Sequence, residues 1–162
     1  MKIINIHQRD YNLPTSVISE ALDSLSSKKD LLWPKEEWMP MILDNGLITK
    51  SKGGHGPIGY YVQQYEYGKI VEFCFTEPKE FVGLHRFEIV EVTTEITRLK
   101  HTIEMQVNLK GILTWYTVVK WLHDALLEDC FDKVYNQHNY PKINTPHNFL
   151  VKFLRKILGS KK

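Results

Sequence analysis

Cysteine is scarce: Cys74 and Cys130 are the only two in 162 residues. They are too few and too far apart for a disulfide framework or a thiolate metal motif. Each falls in an apolar pattern and reads as a buried thiol. No apolar run is long enough to span a bilayer, and the N-terminal MKIINIHQRDYNL lacks the core of a signal peptide, so the expected compartment is the reducing cytoplasm. A dominant charge is also missing. The 21 Lys and Arg against 19 Asp and Glu leave a formal net charge of +2, too balanced for a nucleic-acid-binding protein. There is no internal repeat and no low-complexity tract. What remains is 43% hydrophobic and 25% charged, globular usage that excludes wholesale disorder, at a length suited to one domain with one core.

Periodicity divides the chain. Residues 3–9, IINIHQR, alternate and predict a strand with Ile4 and Ile6 on one face. PTSVISEALDSL predicts a helix with Pro14 at its mouth, Thr15 or Ser16 as cap, and Val17, Ala21, Leu22 and Leu25 as apolar face. The Pro-interrupted LLWPKEEWMPMIL predicts a brief second helix and a turn, and GLITKSK a second strand. Four strands follow, PIGYYVQQYE, KIVEFCFT, FVGLHRFEIVEV and EITRLKHTIEMQVN, with short turns between them. That is the pattern of an antiparallel meander. Near Lys110 the period changes, and ILTWYTVVKWLHDALLEDCFDKVYNQ predicts one helix of roughly 25 residues, about 37 Å long. The expected fold class is α+β: a curved antiparallel sheet wrapped around a long C-terminal helix, with two short helices after the first strand. Residues 1–138 form this domain. Residues 139–162 add a loop and a basic amphipathic helix, part of the same domain or docked on it.

Strand parity selects an inner face. Ile58, Tyr60 and Val62 share a side, as do Val71, Phe73 and Phe75. So do Phe81, His85, Phe87 and Ile89, and so do Leu99, His101, Ile103, Met105 and Val107. Counting from the turns sets Phe73 beside His85, and His85 beside His101 or Ile103. The long helix contributes His123, with Asp124 next to it. A histidine on an apolar face is most often a satisfied core residue. The alternative is a pocket lined by Tyr60, Phe73, Phe75, His85, Phe87, His101, Ile103 and His123, apolar with a few converging polar groups. Burial disfavours the imidazolium, so neutral rings are expected there. His85 and His101 are also candidate general acid/base groups, with Glu104 or Asp124 as partner, although Glu104 has the opposite parity to His101. Zinc held by His85, His101 and His123 is set aside, since the three lack motif spacing. No metal and no cofactor is expected, and no Ser, Cys or Lys stands in a nucleophile signature.

The run KGGHGPIGYY lacks the lysine and following helix of a phosphate cradle. Its glycines are expected to supply backbone angles closed to other residues, and His55 to sit on a rim. In NFLVKFLRKILGSKK, Phe149, Phe153, Leu154 and Ile157 form a stripe beside Lys152, Arg155, Lys156, Lys161 and Lys162. The expectation is a docked helix with a solvated basic face. The alternative is peripheral membrane contact through residues 147–162.

KGGHGPIGYYVQQYEYGKIVEFCF, FVGLHRFEIV, TRLKHTIEM and LHDALLEDCFD, in that order, resemble the bacterial SRPBCC proteins of the START and birch-pollen-allergen superfamily, which includes polyketide cyclases. The resemblance covers roughly residues 1–136. It implies the helix-grip fold with an internal hydrophobic cavity. It also implies binding of a small hydrophobic molecule or lipid, for transport in some members. No catalytic set is shared across the superfamily, so an enzyme is the lesser expectation. Two alternatives stand beside binding: a cyclase or dehydratase in which a cavity histidine moves a proton, and an interaction module whose cavity is filled by its own side chains.

Overall fold

Alternating side chains build the sheet first. The structure is a computed structural model that describes residues 1–139 and 141–158. Its strands are β1 (Lys2–Tyr11), β2 (Ile42–Leu43), β3 (Lys52–His55), β4 (Ile58–Glu66), β5 (Ile70–Glu77), β6 (Phe81–Glu91) and β7 (Thr97–Val107). They form one seven-stranded antiparallel sheet in the order β1-β7-β6-β5-β4-β3-β2. Helix α1 (Thr15–Asp23) follows β1. Helices α2 (Leu109–Thr114) and α3 (Lys120–His138) are joined by a π-helical turn, Trp115–Val119, and α4 (Phe149–Ile157) ends the described chain. The curved sheet grips the long helix, which is the helix-grip fold. No helix among the described residues is long and apolar enough to cross a membrane.

Register follows parity. Phe73 pairs with His85, His85 with Ile103, and Phe87 with His101. Two core clusters result. One joins α1, β4, β5 and the C-terminal half of the long helix through Leu22, Val62, Phe73, Leu126 and Phe131. The other joins Ile3, Phe81, Ile103, Met105 and Trp115.

Several expectations change. In place of a second short helix, residues 34–38 make a single turn in which the amides of Glu37 and Trp38 both donate to the Pro34 carbonyl. The first-strand connection therefore holds one helix, α1. That helix starts without a side-chain cap, and Ile18 rather than Val17 leads its buried face. GLITKSK is not a strand; the pairing falls to Ile42–Leu43 and Lys52–His55. Gly54 thus lies inside β3, where a Cβ would stand 2.1 Å from the Ile58 carbonyl oxygen, so close strand approach is what demands glycine. Of the glycines in KGGHGPIGYY, only Gly56, in the turn after β3, needs the left-handed region, at φ +54°. Cys74 is half-buried on the outer face rather than in the core, whereas Cys130 is buried.

The first strand forms as expected, with Ile4 and Ile6 on one face. Ile4 and Ile6 face solvent. The inward side carries Asn5, His7 and Arg9 against α3. There Asn5 Nδ2 donates to Asp124 Oδ1 at 3.2 Å, and His7 Nε2 lies 2.9 Å from the same oxygen. Arg9 Nη2 donates to Glu128 at 2.7 Å, and Nη1 donates to Asp132. Strand residues two apart thus meet helix residues four apart, because both steps advance about 6 Å along their axes.

Arg9→Met should cost about 3 kcal/mol in urea unfolding, because it strands the buried Asp132 carboxylate without its cation. Breaking the solvent-facing pair between Asp10 of the same strand and Arg98 of β7 should leave the midpoint unchanged. Equal effects from the two changes would contradict this account of the β1–α3 seam.

Candidate functional site

Between the two core clusters lies a cavity of about 380 Å³. The sheet supplies one wall: Phe75 of β5, Phe81, His85 and Phe87 of β6, and His101 and Ile103 of β7. The long helix supplies the other, with Trp115, Val118 and Val119 from the π turn and Leu122, His123 and Leu126 beyond it. A π turn accommodates one extra residue, which here brings Trp115, Val118 and Val119 onto the same wall. The exposed lining residues Met39, Gly56, Pro57 and Leu158 mark the mouth. The cavity is lined almost wholly by carbon.

Six of the eight residues expected to line a pocket do line this space: Phe75, His85, Phe87, His101, Ile103 and His123. Tyr60 and Phe73 do not. They are fully buried one layer deeper and hold His85 in place. The Phe73 ring stacks on His85 at 4.9 Å, and Tyr60 meets it edge-on at 4.8 Å. Glu104 lies on the outer face with Lys2 at 2.6 Å, so it can partner neither histidine. Asp124 stands behind His123 and faces β1.

His55 is part of the site, set in its wall beside the mouth. Its ring lies 4.8 Å from Trp33, and its Nδ1 is 3.1 Å from the Tyr60 hydroxyl. Trp33 and Trp38 also line the cavity from a segment expected to be a helix. His55 was expected on the rim; its pairing with Ile58 in the sheet sets the ring in the wall instead. His7 was missed because a histidine between Ile6 and Gln8 carries no apolar pattern.

The polar atoms form a short chain across the wall. His101 Nε2 lies 3.4 Å from His85 Nδ1. Their remaining nitrogens, His85 Nε2 and His101 Nδ1, are buried with no partner. If His101 donates, then His85 Nε2 carries a proton and His101 Nδ1 is bare; if His85 donates, the roles reverse. Either way this neutral pair holds one unused donor and one unused acceptor. The His123 ring is 5.0 Å from that of His101, and neither of its nitrogens is hydrogen-bonded. Burial, reinforced by the neighbouring imidazoles, pushes the pKa values of His85 and His101 well below the ordinary histidine range. Burial likewise lowers His123 and brings His55 down to about 3.

Helix α4 closes one side. Val151 is buried, the Arg155 guanidinium lies 4.5 Å over the Trp38 ring, and Arg155 Nη2 donates to the Glu37 carbonyl at 2.8 Å. Arg155 therefore fastens the helix to the body instead of joining a solvated basic face. Lys152 and Lys156 are exposed, and Lys161 and Lys162 lie outside the described residues.

A buried imidazole with a depressed pKa takes its proton more readily in the unfolded chain, so acid favours unfolding. His55 and His85 should leave stability intact above about pH 6.5 and erode it as pH falls below that, for His55 down to about 3. Each adds a slope of at most about 1.4 kcal/mol per pH unit. Urea unfolding between pH 7.5 and 5 measures this, and His85→Gln should flatten the dependence. An unchanged slope in that variant would mean that His85 titrates normally in the fold.

No family model matches the sequence, and no curated protein matches it. Solved structures do. A Thermobifida fusca protein known from solution NMR has 8% identity and a TM-score of 0.67, covering 90% of this chain and 99% of that one. A conserved Enterococcus faecalis protein of unknown function has 14% identity and a TM-score of 0.59, covering 97% and 82%. Norcoclaurine synthase from Thalictrum flavum, in complex with dopamine and hydroxybenzaldehyde, has 11% identity and a TM-score of 0.63, covering 86% and 89%. At such identities the likeness establishes the helix-grip fold that this chain carries.

Proposed function

We propose that this chain is a helix-grip protein of the SRPBCC kind that binds a small, largely apolar molecule bearing one uncharged polar group. The observation that carries the reading is the apolar cavity of about 380 Å³ with a neutral His85–His101 pair in its wall. That volume lies within the range of small-molecule sites. Apolar walls reward burial of a hydrocarbon body at about 25 cal/mol per Å². The unused donor and acceptor of the pair suit a hydroxyl or phenol, which both gives and takes a hydrogen bond. A carboxylate suits it less, since neutral imidazoles offer no compensating charge. Norcoclaurine synthase, whose fold this chain shares, was solved with two phenolic molecules, dopamine and hydroxybenzaldehyde. The interaction-module alternative required a filled interior and loses its premise.

Between binding and proton-transfer catalysis, the depressed pKa values favour binding. A ring that stays neutral far below pH 6.5 is a weak base, and a general base works best near the operating pH. His85 and His101 are thus hydrogen-bonding groups in this reading. Phe149, Phe153 and Ile157 on α4 are exposed, and Leu158 stands at the mouth. This favours loading from an apolar phase, with residues 147–158 touching an anionic bilayer.

Two probes test the cavity reading, 1-naphthol and naphthalene. Leu122→Trp should fill the cavity and abolish binding of both. His101→Phe should weaken naphthol about 10-fold, one hydrogen bond's worth, and leave naphthalene unchanged. Binding that survives Leu122→Trp would place the probes elsewhere and overturn the reading. For the bilayer contact, Phe149→Glu with Phe153→Glu should abolish sedimentation with phosphatidylserine vesicles; sedimentation equal to the unmodified protein's would remove it.

A further inference from the structure

We propose that His7 of β1 and His123 and Asp124 of α3 form a binding site for one divalent transition-metal ion, behind the cavity wall. Three candidate donor atoms lie within 4.8 Å of one another, one from each residue. His7 Nε2 is 2.9 Å from Asp124 Oδ1, and His123 Nδ1 is 3.7 Å from the same oxygen. Donors bound at about 2.0–2.2 Å in a tetrahedron stand roughly 3.3–3.5 Å apart, midway between these two separations. The second distance is too long for a hydrogen bond, yet His123 Nδ1 is buried and has no other partner. Buried polar atoms are nearly always satisfied, and an ion between these groups would satisfy this one.

A second orphan lies at the same carboxylate. Asn5 Oδ1 is buried without a partner, while its Nδ2 donates to Asp124 Oδ1 at 3.2 Å. A half-turn of the amide brings the oxygen to the nitrogen's place. Without a cation that would set two oxygens against each other. With one, the amide oxygen becomes a fourth ligand.

The surroundings fit as well. A ligating histidine commonly hands its other nitrogen to a carboxylate, which fixes ring and tautomer. Glu128 Oε1 stands 3.5 Å from His7 Nδ1, and Lys120 Nζ takes the second oxygen of Asp124. Both elements are rigid at this point, since His7 pairs with His101 in the sheet and Asp124 lies within α3. Two imidazoles with carboxylate and amide oxygens suit zinc, cobalt or nickel. Calcium and magnesium, which want oxygen throughout, are a poor match.

The full chain, treated with chelator and dialysed, should take up one equivalent of Zn²⁺ by titration calorimetry. Co²⁺ should give the visible absorption of a four-coordinate site, and Ca²⁺ and Mg²⁺ should give no heat. His7→Ala and His123→Gln should each lower zinc affinity at least about 100-fold, and Glu128→Gln, outside the ligand set, about 10-fold. Circular dichroism of each variant checks that the fold survives. His7 does not line the cavity, so His7→Ala should still bind naphthol; this separates failure of the metal site from failure of the ligand reading. Absence of zinc uptake by the folded chain, or uptake undiminished in His7→Ala, would overturn the proposal.

Discussion

The polar seam between β1 and α3 sets the rest of the structure. A helix laid on an apolar sheet would settle until its side chains interlocked, and no space would remain. Here Asn5, His7 and Arg9 meet Asp124, Glu128 and Asp132, and these bonds fix where the helix crosses the edge of the sheet. Below that crossing, Leu126, Cys130, Phe131 and Val134 close the larger core. Above it, Trp115 closes the smaller one against Phe81 and Ile103. The sheet curves away between these two closures, and the hollow is what neither closure reaches.

The same seam explains why α3 has so little amphipathic character. One side of the helix is apolar and faces the sheet and cavity. Another must be acidic to meet β1, and a third meets residues 33–38 and 145–147. Trp38 Nε1 donates to Asp129 Oδ2 at 2.6 Å, and the Thr145 hydroxyl donates to Asp132 Oδ1 at 3.2 Å. A helix packed on three sides need not show a single stripe.

Much of the sheet was legible because period two and short turns leave little freedom. Once the turns at Gly68 and Pro78 were placed, Phe73 had to fall beside His85. The first strand was legible as a strand, but which of its faces is buried was not, for a physical reason. As an edge strand it pairs with β7 alone among the described residues, and the middle of its inner side meets a charged helix, so Ile4 and Ile6 face outward while Asn5, His7 and Arg9 face inward. Apolar alternation points the wrong way in such a strand. The glycines of KGGH predict unusual backbone angles because glycine usually marks them, whereas Gly53 and Gly54 mark strands too close for a Cβ. Tyr60 and Phe73 share the parity of the lining residues but sit deeper, and depth depends on curvature that spacing does not encode. The π turn was invisible because WYTVV is apolar at nearly every position, so an inserted residue leaves the pattern unchanged.

That inserted residue has a larger consequence than its size suggests. An α-helix turns by about 100° per residue, so one extra residue resets the phase of everything after it. The stretch before the insertion is timed to Phe81 and Val107, the stretch after it to β1 and the deeper core. The two halves of one rod therefore answer to different partners, and the WYTVV segment acts as the gear between them. Natural length variation in this fold should be tolerated in hairpins and loops, but a single deletion within residues 115–119 would swing Leu122, His123 and Leu126 off the wall together and turn the acidic row of α3 away from Arg9.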